Sequence, residues 1–127
     1  VSHPLQVSIP IAASALRRDI DSGLVDWDGV DLKGKAKIAF EYARNDSLNW
    51  MLCGGEDSLF RLGCGILLTM LGPDSADFRR IKAELNMLRD LNAMMQGVPV
   101  SLEQMMEDHE DGDHLGLMGI WHRTKDT

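Results

Sequence analysis

His109-Glu110-Asp111-Gly112-Asp113-His114 is the densest run of metal-ligating side chains in the 127-residue sequence. Imidazole and carboxylate together suit Zn²⁺ or a similar ion. A zincin site, however, presents two histidines at i, i+4 on one helical face with a glutamate between them. Here the histidines stand five apart with Gly112 between them, so one face of a helix cannot present both. The Ca²⁺-loop spacing and its closing glutamate are also missing. The run therefore reads first as an acidic, flexible tail. A metal-binding protein, or a metal-dependent enzyme using His109 and His114, is the alternative.

Other side chains offer less. Cys53 and Cys64, with His3 and His122, fall in no frame that activates a nucleophile, such as Gly-x-Ser-x-Gly or a Cys/His signature. Gly54-Gly55 is not followed by Gly-Lys-Ser or Gly-Lys-Thr, so it is a stop between elements rather than a phosphate cradle. A carboxylate pair can always be found among 20 acids, so such a pair decides nothing. These residues point to a protein without catalysis and without a cofactor.

Charge narrows the partners. The net charge is −7, of which residues 101–127 carry −5 and residues 1–100 only −2. A nearly neutral body with an acidic tail disfavours direct nucleic-acid binding, which needs a basic face. A DNA-mimic inhibitor is a further alternative, though this charge is weak for imitating a phosphate array. Arg79, Arg80 and Lys82 form a small basic cluster that reads as a solvated face. No apolar run is long enough for a bilayer. The start VSHPLQVSIP lacks the basic and apolar regions of a secretory leader. With two cysteines read as reduced and buried, the expected location is the cytoplasm.

The elements follow from periodicity. Aromatics are 6% of the chain, and aliphatics and Met supply most of the apolar content, which favours helix over sheet. The expected fold is all-α, a small bundle of four to five helices in one domain. It has a flexible arm at 1–10, a helical body at 11–108 and an acidic tail at 109–127 without clear period. A helix is predicted from Ile11 to Leu24 with Gly23 as a stop, then a turn at Asp28-Gly29 with Trp27 folded onto the core. A second helix runs from Lys33 to Leu52 and can break at Asn45-Asp46-Ser47. A third opens at Glu56. It is apolar on nearly every side from Leu59 to Leu71, as expected of a buried centre. Gly63 and Gly65 cost this helix stability, and close approach by a neighbour accounts for them. Ser101-Leu102-Glu103-Gln104 has the capping-box pattern and starts a short helix to about Asp108.

The longest helix is predicted from Asp74 to Gln96, with Asp74 or Ser75 as its cap and Gly97 and Pro99 ending it. Phe78, Ile81, Leu85, Leu88, Asn92 and Met95 form one stripe at gaps of three and four, with Arg79, Lys82, Arg89 and Asp90 beside or opposite it. Five of the eight methionines lie between 87 and 106. Methionine is flexible and polarisable, and it is over-used on surfaces that accommodate partners. Met94-Met95 and Met105-Met106 are hard to bury together, which points to a protein-binding or dimer surface.

Within the long helix, Arg79, Ile81, Ala83, Leu85 and Met87 follow one another at spacings of two. Leu91-Asn92 is followed by Met94, and Gly97 and Pro99 close the segment. This stretch resembles the C-terminal helix of the small antiactivators of LuxR-type quorum-sensing regulators. The acidic tail and the Cys53–Leu71 segment have no counterpart in that family's pattern. The resemblance implies an all-helical, homodimeric, non-catalytic protein that binds a LuxR-type activator and blocks its dimerisation or DNA binding. Leu91, Met94, Met95, Met105 and Met106 are the expected partner anchors. Phe78, Ile81, Leu85 and Leu88 would hold the helix to its own core or to a second copy.

Overall fold

Pro4 opens the first helix, α1 (Pro4–Asp21). The computed structural model describes residues 4–45, 56–99, 101–103 and 115–125, with side chains from 9, 59 and 101 onward in the first, second and third of these segments. The expected arm is thus helical from its fourth residue. Proline is well suited to the first helical position, where its missing N–H has no intrahelical acceptor to lose. Pro10 lies inside the helix and forfeits one backbone bond. Burial of Ala12, Ala13 and Leu16 offsets that loss. The helix ends as expected at Gly23, whose φ is +85°. Gly23 N–H donates to Ile20 O at 3.1 Å and Leu24 N–H to Asp19 O at 3.0 Å, the paired bonds of a Schellman stop.

The loop that follows is held by carboxylates. Asp26 accepts from Gly29 N–H at 3.0 Å, and Asp31 accepts from Gly34 N–H at 2.8 Å. The second bond caps α2 (Leu32–Asn45). Trp27 is buried, as its expected return to the core requires, with Lys35 Nζ 5.7 Å from its ring centroid. Residues 46–55, including Cys53 and the end expected for the second helix, lie outside the described residues.

α3 (Glu56–Leu71) buries Leu59, Phe60, Leu62, Cys64, Ile66 and Leu67, and it packs against both α1 and α2. Its glycines serve the approach expected of them. A methyl group at Gly63 would overlap the Phe40 ring, and one at Gly65 would overlap the Cδ1 of Ile9.

Two further helices are described, α4 (Ala76–Met95) and α5 (Leu117–Lys125). The all-α expectation holds, with five helices and no strand among the described residues. Contacts divide the chain into two compact units, Val1–Leu71 with Met118–Thr127, and Gly72–Leu117.

The first unit contains the largest departure from the sequence reading. The supposedly aperiodic tail carries α5, and its Ile120, Trp121 and Thr124 are buried. Trp121 stands edge-on to Phe40 and Phe60, with ring centroids 5.3 and 6.0 Å away. The Arg44 guanidinium stacks 3.4 Å from the Trp121 ring centroid, and its Nη2 donates to Trp121 O at 3.1 Å. Such stacking on a buried ring adds to the burial of the ring itself. Residues 104–114, which include most of the short helix expected at 101–108, lie outside the described residues.

Within the second unit, Glu84 is buried. One of its carboxylate oxygens accepts from Gly116 N–H at 2.7 Å and from Leu117 N–H at 3.2 Å. The carboxylate thereby pairs the amide of Leu117, which would otherwise lack an intrahelical acceptor.

Candidate protein-binding surface

The surface begins with the local chemistry that builds α4. Ser75, extended at φ −85° and ψ 148°, accepts from Phe78 N–H at 3.0 Å and so caps the helix. Asp77 in the first turn lies 3.6 Å from Arg80. The far end closes on Gly97 at φ +78°, with Gly97 N–H donating to Met94 O and Val98 N–H to Ala93 O. These are again the two bonds of a Schellman stop. The helix is therefore fixed at both ends by residues that sequence reading had singled out.

Burial divides α4 along its length. The buried residues are Ile81, Ala83, Glu84 and Asp90. None of residues 91–99 is buried. Of the four residues expected at a core or dimer contact, Ile81 is fully buried, while Phe78, Leu85 and Leu88 are half-buried. The stripe read from sequence does not continue inward past Leu88, because Asn92 is exposed and Met95 is 88% exposed. Asp90, read as part of the polar side, is instead buried. One of its oxygens lies 3.2 Å from Arg89.

Three expected anchors, Leu91, Met94 and Met95, are exposed together on the last turns of α4. Met105 and Met106 lie outside the described residues. Val98, half exposed, and Leu102, 71% exposed, extend the apolar run beyond the helix. Neither residue is among the anchors expected from the sequence. Contiguous exposed apolar surface marks interaction sites, and Leu91, Met94 and Met95 stand within about one helical turn of one another.

Among the described residues, no group of three His, Cys, Asp or Glu could hold a metal ion. His109 and His114 lie outside that set. No described helix is long and apolar enough to cross a membrane. Compared with known proteins, the chain matches no family model, no curated protein and no solved structure.

Proposed function

We propose that this protein is a non-enzymatic regulator that binds a LuxR-type transcription activator and blocks its dimerisation or DNA binding. The observation that carries the proposal is the exposure of Leu91, Met94 and Met95 on a helix end fixed by its own cap and stop. A rigid helix bearing apolar anchors at i, i+3 and i+4 is the shape that fills a hydrophobic groove. Methionine suits the role because its unbranched side chain adapts to the partner's surface. Homodimerisation, with half-buried Leu85 and Leu88 at the contact, and a cytoplasmic location belong to the same proposal. The acids in residues 107–113 would steer the protein toward a basic DNA-binding domain.

The test is co-purification of a LuxR-type regulator with the protein carrying Met94→Asp and Met95→Asp. Both positions are exposed, so circular dichroism should remain helical while the regulator is lost from the eluate. Retention of the regulator by the double variant would remove these anchors from the mechanism.

A further inference from the structure

At the other end of α4 lies a recess of about 580 Å³, lined by Pro73, Ala76, Phe78, Ala83 and Asn86 with Arg79, Arg80 and Lys82. We propose that it binds a small organic phosphate. Its volume falls in the range of small-molecule sites, which combine an apolar lining with a few polar groups. Pro73, Ala76, Phe78 and Ala83 supply that lining, and Phe78 offers a ring for a flat ligand to rest against.

The polar groups favour an anion. Three cations line one recess of a chain whose net charge is −7. Arg80 is engaged by Asp77 at 3.6 Å, whereas Arg79 and Lys82 make no ion pair among the described residues. Arg79 and Lys82 are three residues apart, so their side chains rise from the same face of the helix about one turn from each other. Asn86, four residues further on, adds a donor on that face. Two cations at this spacing match a ligand with more than one anionic centre better than a single carboxylate. Arginine adds fork-like donors suited to phosphate oxygens. The recess also sits at the positive end of the α4 dipole, which adds to the attraction without constituting the site.

The experiment is isothermal titration of the full chain with ATP, inorganic pyrophosphate and adenosine at low and moderate salt. ATP should bind, pyrophosphate should bind more weakly, and adenosine should give no detectable heat. Binding should weaken as salt rises. Arg79→Gln with Lys82→Gln, at two exposed positions, should reduce ATP affinity about tenfold or more. Phe78→Ala should weaken ATP while leaving pyrophosphate unchanged. The proposal is overturned if ATP binds no tighter than about 1 mM, or if the double variant binds it as well as the parent does. It is equally overturned if a polyglutamate peptide binds and ATP does not, which would make the recess a contact for an acidic protein. No regulator is present in these titrations, so their outcome is independent of the anchors at Met94 and Met95.

Discussion

Tyr42 and Asp19 join α2 to α1 through a hydrogen bond from the phenol to the carboxylate. Burial, the hydrogen bond to Asp19 and the negative charges of Asp19 and Glu41 push the phenol from 10.0 up to about 12. A group whose proton is held more tightly in the folded state contributes stability in full below its unfolded pKa. That contribution is lost as pH rises through the folded value. The urea midpoint should therefore fall between pH 10 and about 12 more steeply for the parent than for Tyr42→Phe. At neutral pH the same variant should lose about 1 kcal/mol, the usual worth of one such bond. Tyr42 is the only tyrosine in the sequence, so phenolate absorbance follows its titration directly. This pair was not legible beforehand: its partners are 23 positions apart, Asp19 reads alone as an outward-facing acid and Tyr42 as part of the apolar matter of its helix. Glu84 was hidden in the same way, since a glutamate in a charged helix gives no sign that it will accept two amides of a segment 32 residues later.

At the level of elements, the same substitution should have opposite effects in two helices. Gly63 of α3 faces the Phe40 ring at a distance that leaves no room for a methyl group. Gly63→Ala should cost about 1–3 kcal/mol, because a buried ring must move and little around it can yield. Gly119 of α5 would place its methyl group 3.4 Å from the end of the flexible Arg123 side chain. Gly119→Ala should be neutral or stabilising by up to about 1 kcal/mol, the gain in helix propensity. Thermal melts of the two variants check both signs. α3 was legible because its apolar residues surround the helix and its glycines interrupt them where a neighbour must come close. α1 was legible only from Ile11 onward, because Pro10 disfavours helix at the residue before it, and yet the helix runs through that proline. α5 was missed for a different reason. Leu117, Ile120, Trp121 and Thr124 do stand at gaps of three, one and three, as a helical face requires. Gly112, Gly116 and Gly119 and the neighbouring acids concealed that period.

Taken as a whole, the molecule assigns stability and proposed recognition to different residues. Met118–Thr127 belongs with Val1–Leu71 in one compact unit, so the end of the chain helps to build the core begun by its start. Trp121 is the central contribution, 2% exposed and in contact with the Phe40 and Phe60 rings and the Arg44 guanidinium. Truncating it removes the largest side chain of that cluster and leaves a cavity whose lining cannot fully collapse. Trp121→Ala should therefore lose about 3–5 kcal/mol. Met94 and Met95 belong to the other unit and touch solvent, so aspartate at both should cost no more than about 1 kcal/mol at each position, mostly from placing a carboxylate at the negative end of the α4 dipole. Urea unfolding of the two variants should separate them clearly, with the midpoint falling far for Trp121→Ala and only slightly for Met94→Asp, Met95→Asp. A large loss of stability in the methionine variant would mean that those side chains are buried in solution, against their own fold or a second copy. In that case they would not be available to a regulator.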